Sequence, residues 1–160
     1  MKRITISERL FTGKKDVPWD EVEKYWKRYI NQTVKVNSTN DIIRIPKDYP
    51  DEYSGSQYTK KLRGAVAKAK ANIIVELLRL IQNASNRRHV ANKTEKHEKD
   101  ASRGWYRYDI CFGILVRGEN ERDLRENIYK GTLVVRRNER GNELYDIVNI
   151  KKEASKPLKP

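Results

Sequence analysis

The sequence predicts an α+β fold, with N-terminal helices and a β-hairpin packed on one face of a C-terminal antiparallel β-meander. Three observations carry that prediction. Apolar residues recur at helical spacing in two stretches before residue 83, and they alternate with polar ones through most of the last third. Between the two helical stretches, residues 34–45 hold two short alternating runs around Ser38-Thr39-Asn40. Helices followed by antiparallel strands form layers in which the helices cover one sheet face and leave the other open.

Residues 1–15 show little periodicity and read as a flexible N-terminal arm, residues 16–153 as a single domain, and residues 154–160 as a flexible tail. The first helix has Asp16 as a candidate cap, Pro18 suited to a first turn, and Asp20 and Glu21 near its positive end. Trp19, Val22, Trp26, Tyr29 and Ile30 form one apolar stripe, which makes both tryptophans core anchors. Val34 and Val36 then alternate with Lys35, and Ile42-Ile43-Arg44-Ile45 follows the turn until Pro46 stops it. Residues 46–55, with two prolines and a glycine, read as a loop.

The longest predicted helix runs from Ser56 or Thr59 to Gln82, with Leu62, Val66, Ala69, Ile73 and Leu77 on its stripe. Gly64 is a mild cost within it. A charged helix over residues 92–102 would depend on pairs such as Glu95 with Lys99, and Gly104 would end it. In the strand that follows, Tyr106, Tyr108, Ile110, Phe112, Ile114 and Val116 point one way. Residues 118–126 read as a charged connection. Tyr129, Gly131, Leu133 and Val135 alternate in the next strand, residues 138–142 form a hairpin loop, and residues 144–150 close the meander.

Charge is distributed unevenly. The net charge is +13, and residues 59–104 hold twelve Lys/Arg against four Asp/Glu, a surplus of eight. This basic block runs into Trp105-Tyr106-Arg107-Tyr108, a combination that favours a phosphate-backbone ligand, so the expected partner is nucleic acid or another polyanion. One cysteine excludes an internal disulfide and fits a reducing cytoplasm. With two histidines and that cysteine no zinc pattern can be written, and no apolar run could span a bilayer, so neither a cofactor nor a membrane partner is expected.

No P-loop, GxGxxG, GxSxG or HExxH string occurs. The residue types present suit attack on a phosphodiester without a metal, which needs a proton acceptor, a proton donor and cations near the transition state. His97 is the best acid/base candidate, because imidazole titrates near neutrality and this residue lies eight positions before Trp105. Arg107 and Lys130 project from strands and complete the candidate catalytic set. Lys60, Lys61, Arg63, Lys68, Lys70, Lys96, Lys99 and Arg136 are the candidate nucleic-acid-binding residues.

Several strings together resemble a known family: Asp51-Glu52-Tyr53-Ser54-Gly55-Ser56, Lys68-Ala69-Lys70-Ala71-Asn72, Lys96-His97-Glu98-Lys99-Asp100-Ala101 leading to Gly104-Trp105-Tyr106-Arg107-Tyr108-Asp109, and Leu144-Tyr145-Asp146-Ile147-Val148-Asn149-Ile150. Over residues 16–158 the chain resembles the barnase–EndoU–colicin E5–RelE-like nucleases. It equally resembles the barnase-like large polyvalent protein-associated domains of phages and conjugative elements. The resemblance implies a helix-plus-antiparallel-sheet fold and, in active members, metal-independent RNA cleavage, with His97, Lys99, Arg107 and Asp109 at the family's polar positions. Lys130 and Arg137 stand where the resemblance places histidines. The alternative reading is therefore a non-catalytic inhibitor, of the kind mobile elements use against host defence. It would bind nucleic acid, a host nucleoprotein or an immunity protein through the same basic surface.

Overall fold

The computed structural model describes residues 2–12, 16–117 and 124–158. Its centre is a mixed sheet of seven strands: β1 (Arg3–Ile6), β2 (Thr33–Lys35), β3 (Ile42–Arg44), β4 (Ser85–Val90), β5 (Trp105–Arg117), β6 (Leu124–Asn138) and β7 (Gly141–Pro157). The strand order is β1-β5-β6-β7-β3-β2, with β4 also paired to β5. The long strands β5, β6 and β7 make the predicted antiparallel meander. The predicted hairpin is β2 with β3, and it extends the sheet because β3 pairs in parallel with β7 at Arg44 and Glu143.

The helices α1 (Trp19–Trp26), α2 (Tyr49–Gly55), α3 (Gln57–Lys61), α4 (Gly64–Asn72) and α5 (Leu77–Gln82) carry most of the remaining core. One face of β5 buries Tyr108, Ile110, Phe112 and Ile114, as their period-two spacing predicts. Trp26 is fully buried and meets Tyr49 and Tyr53 edge-on at 5.1 and 4.8 Å between ring centres. No helix among the described residues is long and apolar enough to cross a membrane.

Several expectations are corrected. The stretch read as a flexible arm contains β1, which pairs in parallel with β5 and buries Ile4 and Ile6. The backbone N–H groups of Leu10 and Phe11 both donate to Asn72 Oδ1, tying that stretch to α4 (residues 13–15 lie outside the described residues). The stretch read as a tail is paired as far as Pro157, opposite Arg125. Residues 46–55 contain α2 rather than a plain loop.

The single long helix is broken. Leu62 and Arg63 take extended backbone, Gly64 follows at φ +64°, and Ile73–Glu76 tighten to a 3-10 turn. The predicted helix over 92–102 is one 3-10 turn, Glu95–His97, within an irregular segment that has no apolar face to dock. The polar stretch after Asn83 contains β4. Of the predicted charged connection, residues 118–123 lie outside the described residues and Leu124 to Glu126 belong to β6.

Candidate functional site

A cleft of about 390 Å³ lies over strands β5, β6 and β7. Its floor follows from strand register: Arg107 on β5 lies opposite Val134 on β6, which lies opposite Asp146 on β7. Its upper wall is the end of β4 at Val90 and the irregular segment 91–94, with His97 beyond it. A register shift between Val134 and Val135 leaves Tyr145 unpaired in β7, as a β-bulge does, and the bulge brings Tyr145 and Asp146 together on the cleft.

Three aromatic rings meet here. His97 lies edge-on to Trp105 at 5.0 Å and to Tyr145 at 5.4 Å, and Trp105 and Tyr145 are 4.9 Å apart. Nδ1 of His97 is 3.0 Å from the Asp100 carboxylate, which holds the ring's orientation and leaves Nε2 for a ligand. Arg107, half-buried in the cleft, makes no ion pair among the described residues. Burial, and then the Glu52 carboxylate beside it, hold the Tyr145 phenol well above its ordinary value, so it is a hydrogen-bond donor near neutrality.

Asp100 is itself anchored. Arg136 Nη1 reaches its carboxylate at 3.4 Å, and Asn138 Nδ2 donates to its backbone carbonyl at 2.6 Å. Arg136 is clamped by Asp48, at 2.8 Å from each terminal nitrogen, and by Glu143, at 3.0 Å from Nε.

The structure divides the sequence-predicted residues. His97 and Arg107 share the cleft, but Lys130 does not line it. It faces Cys111, four residues along β5 from Arg107, which is roughly 13 Å at strand rise. Arg136 is buried among carboxylates and its charge is already matched, so its assignment to a nucleic-acid surface is corrected. Lys70 is corrected for the same reason. It is fully buried, with Nζ 2.7 Å from Asp146 Oδ1 and 2.6 Å from Thr59 Oγ1. Burial is the largest influence on both members of that pair, lowering Lys70 and raising Asp146 against the pull of each other's charge.

Lys60, Arg63 and Lys68 line a different cavity among the helices, and Lys61 is exposed nearby on α3. Lys96 and Lys99 are exposed on the segment that carries His97. The basic block therefore does not form one continuous surface with the aromatic strand. Sequence reasoning missed Asp100, Tyr145 as the partner of His97, and the bulge that delivers it. Only the three-residue spacing of His97 and Asp100 was a readable signal.

Among the described residues, no group of three or more His, Cys, Asp and Glu side chains is placed to hold a metal ion. No protein-family model, curated protein or solved structure matches this chain.

Proposed function

We propose that the cleft takes single-stranded RNA and that the protein is a ribonuclease-like domain needing no metal, with His97 as its acid/base group. The observation that carries this reading is the meeting of an unpaired guanidinium, an oriented imidazole and two further aromatic rings in one concave site. A phosphate would sit on Arg107, and a base would pack against Trp105 and Tyr145. Nε2 of His97 would accept the 2′-hydroxyl proton as that oxygen attacks phosphorus. The bond to the 5′-oxygen breaks, and that oxygen takes a proton from the imidazolium or from water. The products are a 2′,3′-cyclic phosphate and a 5′-hydroxyl, with atoms and charge balanced. The resemblance drawn from the sequence supports the same chemistry.

A second reading, binding without cleavage, is favoured by one observation. Beside His97 the titratable groups lining the cleft among the described residues are Lys93, Arg107, Tyr145, held protonated, and Asp146, already matched by Lys70, so no second histidine shares the proton transfer. In that case the cleft would occupy RNA or a nucleoprotein as an inhibitor does.

The test incubates a labelled single-stranded RNA with the protein and with His97→Ala in EDTA, and measures binding by anisotropy at low and high salt. Cyclic-phosphate products from the wild type alone, with binding kept in the variant, support cleavage. Salt-sensitive binding without products selects the second reading. Absence of binding at low salt overturns both.

A further inference from the structure

A cavity of about 700 Å³ lies at the start of α1 and between α3 and α4. It shares no lining residue with the cleft. Among the described residues that line it, Lys60, Arg63 and Lys68 are the cations and Asp16 the one carboxylate. Arg63 and Lys60 are exposed, and Arg63 Nη1 donates only to the backbone carbonyls of Lys60 and Leu62, so its charge is unmatched there. Cations gathered in a concave wall repel one another and raise the local concentration of anions. The same wall holds the half-buried indole of Trp19 and Ser54, whose buried hydroxyl makes no hydrogen bond. A buried hydroxyl without a partner calls for an explanation, and a ligand oxygen supplies one.

We propose that this cavity binds a nucleotide, its phosphate groups on Lys60 and Arg63 and its base against Trp19. The volume falls within the range of about 300–1,000 Å³ typical of small-molecule sites. Two cations lining one cavity suit a multiply charged phosphate better than a single carboxylate. A flat apolar ring beside them suits a base. The nucleotide is either free or one unit of an RNA chain, and the phosphate chemistry is common to both.

The test titrates the full chain with ADP, inorganic pyrophosphate and a short oligouridylate, read by calorimetry and by tryptophan fluorescence. ADP is expected to bind with a Kd below about 1 mM. The double variant Lys60→Ala/Arg63→Ala weakens it by about tenfold or more. Trp19→Phe removes the fluorescence change while calorimetric pyrophosphate binding remains. Arg107→Ala, confined to the cleft, leaves ADP binding unchanged, which separates this site from the RNA reading. With a free nucleotide as ligand, the double variant keeps its oligouridylate affinity; with RNA as ligand, both affinities fall together. Failure of ADP and pyrophosphate to bind, ADP binding that survives the double variant, or ADP binding that disappears in Arg107→Ala overturns the proposal.

Discussion

His97 and Asp100 are joined side chain to side chain across one turn, with Nδ1 3.0 Å from the carboxylate, and Arg136 touches the same carboxylate from the sheet side. An ionised carboxylate at Nδ1 fixes one tautomer, whereas an amide can accept from or donate to the ring and fixes neither. In Asp100→Asn the fold is kept, because Arg136 retains Asp48 and Glu143. On the proposed ribonuclease reading, RNA cleavage should then fall by about a hundredfold or more, with KM little changed. Nitrogen-15 NMR of His97 should show mixed tautomers at a pH where the wild type shows one. An unchanged tautomer together with full activity would remove Asp100 from the mechanism.

Arg136 ties acid stability to the same region. Burial pushes Asp48 and Glu143 upward. For Asp48 the hydrogen bonds and charge of Arg136 outweigh burial, and for Glu143 the Asn138 hydrogen bond does so together with Arg136. Both carboxyls end below their ordinary 3.8 and 4.5. A carboxyl depressed in the folded state contributes stability that is complete above its unfolded pKa and is lost as pH falls through its folded pKa. Urea midpoints should hold from about pH 7 to pH 5 and fall below about pH 4. Asp48→Asn, which keeps the shape, should lower the neutral midpoint and flatten the acid decline. Parallel acid declines in variant and wild type would contradict this account.

Lys70 and Asp146 show why charge counting from sequence misplaced part of the basic surface. Removing one member of a buried pair leaves the other unmatched, at a cost of about 3–5 kcal/mol. Lys70→Met should therefore destabilise strongly, while Lys70→Met/Asp146→Leu should recover most of the loss. Denaturant unfolding of the three variants, including Asp146→Leu alone, gives the coupling directly. A loss below about 1 kcal/mol in Lys70→Met would mean that water reaches the pair.

The parts of the fold that were legible are those whose sequence period is long and local. Residues 105–116 alternate for six turns of the pleat, and β5 follows from them without knowledge of its neighbours. β1 has only four residues, and its partners lie 108 positions away at Cys111 to Ile114, so nothing local marks it. β4 is a polar edge strand held by backbone pairing, with no buried face to give it a period. The break at Gly64 had a signal, the glycine itself, and the alanines around it outweighed that signal in the reading. At the candidate site His97, Trp105 and Arg107 were legible because they are close in sequence. Tyr145, and the burial of Lys70 and Arg136, depend on contacts across 48, 76 and 88 positions, which no spacing reports.

Gly104 links the segment bearing His97 to β5, and it separates stability from function. Its φ is +85°, and a Cβ there would stand 2.7 Å from the Val90 carbonyl oxygen, 3.0 Å from His89 Nε2 and 3.4 Å from Ala91 Cα. Val90 and Ala91 form the upper wall of the cleft. Gly104→Ala thus carries two penalties: a left-handed backbone worth about 1–3 kcal/mol, and a backbone clash that only displacement of that wall relieves. Gly141, at φ +114°, has nothing within 4 Å of its would-be Cβ, so Gly141→Ala carries the backbone penalty alone. Both variants should lose stability in thermal unfolding. Only Gly104→Ala should also lose RNA affinity, measured by anisotropy at a temperature where both are folded. Equal affinities in the two variants would mean that the 90–94 wall does not shape the site.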